Sequence, residues 1–108
     1  MGRAPREGRI RPDDLDAVIH ERVRLSIVSV LAARRKVGYL EMRSLLGLSD
    51  GNLAGHVRVL EEAGYVEVDK TIVDRKTRTV FRLTAAGRKA FQRHVERLAA
   101  LLSLRERP

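Results

Sequence analysis

The chain has 108 residues, 44% hydrophobic but only 4% aromatic and without Trp, so we expect one domain with a core of Leu, Val, Ile and Ala, no second ligand-sensing domain and no base-stacking platform for single strands. Lys and Arg number 22 against 14 Asp and Glu, a formal net charge of +8 that suits a polyphosphate partner, although other basic proteins share it. The absence of Cys excludes disulfides, thiolate metal sites and cysteine nucleophiles, and no apolar run approaches the ~20 residues of a membrane span; a cytoplasmic location is the expectation.

Residues 1–12 hold two Gly, two Pro and the cations Arg3, Arg6, Arg9 and Arg11, with no apolar stretch behind them, and read as a flexible basic arm rather than a secretory signal. Such an arm is either a solubilising tail or a groove-touching one. Asp13 and Asp14 offer an N-cap and first-turn acids for a helix from about Leu15 to Ala33. Its apolar positions, Leu15, Val18, Ile19, Val23, Ile27, Val28 and Leu31 among them, exceed one core-facing stripe, so a second face is free for a partner. Val37, Gly38 and Tyr39 break the pattern.

A short helix is predicted from about Leu40 to Leu46, with Tyr39, Met42, Leu45 and Leu46 inward, Gly47 as its stop and Leu48 plugging the turn. Ser49 is placed to cap a third helix running to about Ala63, in which Leu53, Val57 and Leu60 recur at helical spacing and Gly64 ends the run. Its opposite face carries Asn52, Gly55, His56 and Arg58. Strand-like segments follow at Tyr65 to Ile72 and Thr79 to Leu83, joined through Asp74, Arg75, Lys76 and Thr77. Thr84 opens a last helix to about Leu104, where Phe91, Val95, Leu98 and Leu102 recur at spacings of 4, 3 and 4, a coiled-coil seam.

Two short helices around the tight turn Gly47-Leu48-Ser49 describe a helix-turn-helix. A helix is about 10 to 12 Å across and the major groove of B-DNA about 12 Å wide, so a helix that enters it needs a slim leading face. Gly51, Asn52, Ala54 and Gly55 meet that condition. An internal Gly costs about 1 kcal/mol relative to Ala, which close approach to a partner justifies better than tight packing within the protein, given the polar neighbours. Asn52 has the donors and acceptors for adenine, Arg58 for guanine or phosphate, and His56 for either; Ser49, Asp50, Gly51 and Gly55 complete the expected recognition face. From Lys70 to Arg82 the cations Lys70, Arg75, Lys76, Arg78 and Arg82 face one anion, Asp74, so the hairpin is a basic wing. Lys70, Arg75, Lys76 and Arg78, with Ser44 on the second helix, are the expected phosphate contacts.

Two stretches carry a family resemblance: Leu46-Gly-Leu-Ser-Asp-Gly-Asn-Leu-Ala-Gly-His-Val-Arg-Val-Leu-Glu-Glu-Ala-Gly-Tyr-Val66 and Leu83-Thr-Ala-Ala-Gly-Arg-Lys-Ala-Phe91. With them the chain resembles, over about residues 15 to 104, compact winged-helix transcriptional regulators related to the MarR and ArsR families. The resemblance implies a mainly α, α+β winged helix-turn-helix: a three-helix core, a two-stranded wing and a long C-terminal dimerisation helix within one domain, residues 13–104. It implies Asp50 to Arg58 in the major groove, Arg75 to Arg78 at the wing, and a dimer through terminal helices. ArsR-type sensors bind metal through cysteines, which this chain lacks, and MarR-type proteins are usually longer, with a ligand pocket; no effector is assigned.

The last helix supports the same dimer, since a lone helix has nothing of its own to cover Phe91, Val95, Leu98, Leu101 and Leu102 together, although folding back on the first helix would hide part of that stripe. Two-fold symmetry sets the recognition helices about 34 Å apart and demands a roughly palindromic operator, with repression the simplest outcome. The rival is a protein- or RNA-interaction module built on the same core. No enzyme is expected. A metalloprotease helix beginning at His20-Glu21 requires a second His where Arg24 stands. The histidines His20, His56 and His94 are expected on three separate helices, Asp13-Asp14 and Glu61-Glu62 read as caps and solvated faces, and no cofactor or metal is called for.

Overall fold

The computed structural model describes residues 11–104, so the basic arm lies outside the described residues except for Arg11 and Pro12. Pro12–Asp14 form one 3-10 turn, closed by the Asp14 carboxylate accepting from the Arg11 backbone N–H at 2.9 Å. The first helix, α1, spans only Arg22–Ala33, a correction to the expected start near Leu15. Two carboxylates account for the difference. Asp16 Oδ1 accepts from the backbone N–H groups of Val18 and Ile19, at 2.9 and 3.1 Å, and bends the chain into a turn. Glu21 then caps the helix, accepting from the backbone N–H groups of Val23 and Arg24 at 3.0 and 2.9 Å. Residues 15–21 are therefore a strap laid across the domain, with Ile19 fully buried beneath it.

Strand β1, Val37–Gly38, leads directly into α2, Tyr39–Leu46, which Gly47 ends in the left-handed conformation. Helix α3, Asp50–Glu62, starts at Ser49, whose Oγ accepts from the Asn52 backbone N–H at 3.2 Å. Strands β2, Val66–Val73, and β3, Lys76–Leu83, pair in antiparallel register from Val66 opposite Leu83 out to Val73 opposite Lys76. The connection is the two-residue turn Asp74-Arg75, both residues at positive φ, rather than the longer loop expected. Such a turn matches the twist of a hairpin, so pairing continues to the tip. The sheet has three strands, not two, in the order β1-β3-β2, because Val37 and Gly38 pair with Phe81 and Val80. Helix α4, Ala85–Leu104, is the last element among the described residues.

Helices α1 to α3 and the sheet share one core: Ile27, Val28 and Leu31 from α1, Met42 from α2, Leu53, Val57 and Leu60 from α3, and Val37, Val66, Phe81 and Leu83 from the sheet. Burying each such side chain contributes about 1.5 to 3 kcal/mol. Leu45, expected inward, is about half exposed because the inward positions of α2 are taken by Met42 and, in part, Tyr39 and Leu46. The base of α4 is locked by a polar seal. Thr84 Oγ1 donates to the Gly64 carbonyl at 2.6 Å and accepts from the Gly87 N–H at 2.9 Å, while the Thr84 N–H donates to the Tyr65 carbonyl at 3.0 Å.

Candidate nucleic-acid interface

The helical period of α3 decides which residues face solvent. Leu53, Val57 and Leu60 are buried, leaving Asp50, Gly51, Asn52, Ala54, Gly55 and Arg58 exposed on the outer face. A Cβ added to Gly51 or Gly55 meets nothing within 4 Å, so neither glycine makes room for packing inside the chain. Ser49 is exposed as well, though its hydroxyl is engaged in the cap.

Asp50, at the first turn, is held by two residues that the sequence did not single out for this site. Its Oδ1 accepts from the Arg43 guanidinium at 2.6 Å and from the Tyr39 hydroxyl at 2.9 Å. The Arg43 hydrogen bond, then that of Tyr39, hold the carboxyl below its usual range, so Asp50 stays ionised with its charge offset by Arg43. Burial and the same carboxylate push the Tyr39 hydroxyl up, so it remains a donor. These contacts cross from α2 to the start of α3 and fix the angle between them. The spacing of seven residues between Arg43 and Asp50 is the one signal in the sequence, and it has meaning only once the turn at Gly47 is folded.

His56 is half-buried and occupied within the chain: its Nδ1 lies 3.1 Å from the Arg24 guanidinium and 3.5 Å from Glu21 Oε1. Burial works to raise the Glu21 pKa, but the backbone N–H groups of Arg24 and Val23, then His56 and Arg24, outweigh it and hold the carboxyl low. Of the side chains expected to read bases, Asn52 and Arg58 are thus the exposed ones.

On the hairpin every residue from Lys70 to Arg78 is exposed, and Lys70, Arg75, Lys76 and Arg78 enter no ion pair among the described residues. Arg82, counted among the wing cations, is instead bound to Asp69 across the strands, with Glu67 at 4.0 Å. Its charge is therefore spent locally, and the free positive charge sits toward the tip. Between the hairpin and α2 runs a groove lined by Tyr39, Leu40, Lys36, Val73, Lys76 and Arg78. Since Tyr39 both lines this groove and bonds Asp50, the start of α3 and the cationic ribbon share one side of the molecule. Ser44 is exposed on α2, near its C-terminal end.

Helix α4 divides its apolar residues between two faces. Ala90 and His94 are buried against the chain itself, and Phe91 packs on the core. Val95 and Leu102 remain 46% and 59% exposed, with Leu98 and Leu101 partly covered beside them. The expectation that the three histidines stand apart is corrected: His20 lies on the strap, outside any helix, and its Nδ1 is 3.2 Å from His94 Nε2. Among the described residues no group of three or more His, Asp or Glu is placed to hold a metal ion, and no helix is long and apolar enough to cross a membrane.

A family model described as winged helix DNA-binding domain matches residues 23–102. An uncharacterized protein of Methanocaldococcus jannaschii is 32% identical over 79 residues, which are 73% of this chain and 86% of that protein. Among solved structures, a transcriptional regulator homologue from Pyrococcus horikoshii OT3 aligns with a TM-score of 0.76 at 37% identity, covering 80% of this chain and 85% of its own. NadR in complex with 4-hydroxyphenylacetate aligns at 0.68 with 22% identity, covering 87% of this chain and 66% of its own, a likeness of fold alone.

Proposed function

Since the chain belongs to the winged helix DNA-binding domain family, we propose that it is a transcriptional regulator that grips double-stranded DNA as a homodimer and represses by occluding a roughly palindromic operator. The observation that carries this is the bare outer face of α3, where Gly51 and Gly55 have open space above them and Asn52 and Arg58 stand free beside them. A helix slimmed where nothing in its own chain requires it is shaped for an external groove.

In this reading Asn52 contacts adenine and Arg58 guanine or a phosphate. Lys70, Arg75, Lys76 and Arg78 hold backbone phosphates, joined by Ser44. Ser49 and Asp50 serve by fixing the start of α3, and His56 by fixing its flank, rather than by touching bases. Residues 13–104 act as one domain, in which α4 supplies the dimer contact through Val95, Leu98, Leu101 and Leu102, with Phe91 at its inner edge. The exposure of Val95 and Leu102 on an otherwise anchored helix supports that contact.

Binding-site selection from a random duplex library tests the reading, and a two-fold symmetric motif is expected. For the selected site, log affinity should fall with log salt at a slope of about −0.9 for each phosphate neutralised. No duplex binding at low salt would remove the proposal. Leu98→Glu should give monomers in sedimentation and a weaker, half-site footprint; an unchanged dimer would place the contact elsewhere.

A further inference from the structure

We propose that the strap, residues 15–21, positions the recognition helix from α4, and that protonation at the His20–His94 contact releases it. The consequence for DNA rests on the function proposed above; the coupling within the chain does not.

The strap is held at three points, on two helices and the turn before β2. His20 meets His94 of α4, the Asp16 Oδ2 accepts from the Tyr65 hydroxyl at 2.7 Å just before β2, and Glu21 faces His56 of α3. Arg24 ties the last contact back to the strap, its Nε donating to the Val18 carbonyl at 2.6 Å. A displacement of His20 is therefore passed to its neighbour Glu21, which caps α1 and braces the flank of α3 in one step.

The His20–His94 contact accepts one proton between the two nitrogens and no more. His94 is 1% exposed, and its Nδ1 has no hydrogen-bond partner. A buried N–H without an acceptor is costlier than a bare lone pair, so neutral His94 carries its proton on Nε2 and donates to His20 Nδ1. A further proton on His94 would create an unpartnered N–H at Nδ1. One on His20 would set two N–H groups against each other. The charged groups facing the pair are Asp16 from the strap and Arg97 from α4, with Tyr65 bonded to Asp16 and Arg93 acting on Tyr65. Asp16 favours the imidazolium, but its oxygens are already committed to Val18, Ile19 and Tyr65. Burial, then His20, hold His94 below its ordinary value, against the pull of Asp16 and with a smaller contribution from Arg97. The folded form thus binds fewer protons than the unfolded chain: the contact's stabilisation is complete above the ordinary value of about 6.5 and is lost as pH falls from there through the lowered one.

The experiment is an NMR titration of the full chain from about pH 8 to 5, following histidine rings and backbone amides, alongside duplex affinity. Amides of Glu21 to Arg24 and Gly55 to Arg58 should show a component with the midpoint of His94. Duplex affinity should weaken roughly three- to tenfold as pH falls from about 6.5 through the lowered midpoint of His94 and the strap lets go. His94→Gln keeps a donor toward His20 without a titrating ring, and should remove that component and hold affinity at its higher level. His20→Ala, at an exposed position, should give the released state at every pH, so the test does not depend on a core substitution folding. Recognition-helix amides without a component at the midpoint of His94, or an unchanged pH profile in His94→Gln, would overturn the proposal. A chain that binds no duplex at any pH but keeps the His94 component fails the DNA reading and keeps the strap.

Discussion

Helices α3 and α4 both contain a glycine where Ala would ordinarily be the better helix former, and Gly55 of α3 and Gly87 of α4 stand in opposite surroundings. Above Gly55 of α3 there is open space, whereas a Cβ on Gly87 of α4 would overlap the Tyr65 carbonyl and press on Leu83 at 2.9 Å. The first is slim toward the outside, the second toward the protein's own backbone. The sequence alone does not separate the two: Gly87 is required by the chain's own backbone, while Gly55 is not, and its slimness serves the proposed DNA contact.

The sharpest way to break the comparison is Gly87→Ala. The Tyr65 carbonyl is backbone, already accepting from the Thr84 N–H, and cannot step aside without opening the seal at the base of α4. We expect a loss of about 3 kcal/mol, a fall in Tm on the order of 15 °C. A thermal melt monitored by circular dichroism measures it, and a Tm within a degree or two of the parent would show that α4 is not seated against this carbonyl.

That seal was half legible in the sequence. Thr84 announced a helix start, but the reason for Gly87 lies with a residue 22 positions earlier in the chain, which no local pattern encodes. Helix α3 could be placed closely because Ser49, the apolar repeat Leu53-Val57-Leu60 and Gly64 all act locally and agree. The strap was not legible for the opposite reason. Val18 and Ile19 continue the apolar period of α1, while Asp16 and Glu21 draw the backbone N–H groups out of the helix, and Tyr65 and His94 fix the result from afar. Strand β1 is two residues long and exists only because β3 pairs with it. At the candidate site the exposed face of α3 followed from periodicity, but the internal engagement of Asp50, His56 and Arg82 depended on partners brought together by folding.

The next two predictions separate the outer face of α3 from the ribbon. Arg58→Ala should cost about 2 kcal/mol on a preferred site and much less on unrelated duplexes, since a contact to a base edge carries sequence information. Arg75→Ala should cost about 1 kcal/mol on every duplex alike and flatten the salt slope by about 1, as loss of a phosphate contact does. Competition binding with specific and scrambled duplexes reads both. Equal losses on both duplexes for Arg58→Ala would make α3 another phosphate holder and erase the contrast between reading and gripping.

The smallest effect is also the most discriminating. Gly55→Ala places a methyl group in open space, where nothing in the chain resists it, and a mid-helix Ala is better than Gly by about 0.5 to 1 kcal/mol. The free protein should therefore become slightly more stable in urea denaturation, the reverse of Gly87→Ala. If α3 lies in a groove, the same methyl group takes up room that the duplex would otherwise fill, so affinity should drop while stability rises. Opposite signs in the two measurements cannot come from general damage to the fold. A rise in stability with unchanged affinity would mean that Gly55 is merely tolerated, and the close approach would then have to be made at Gly51 and Asn52, one turn nearer the start of the helix.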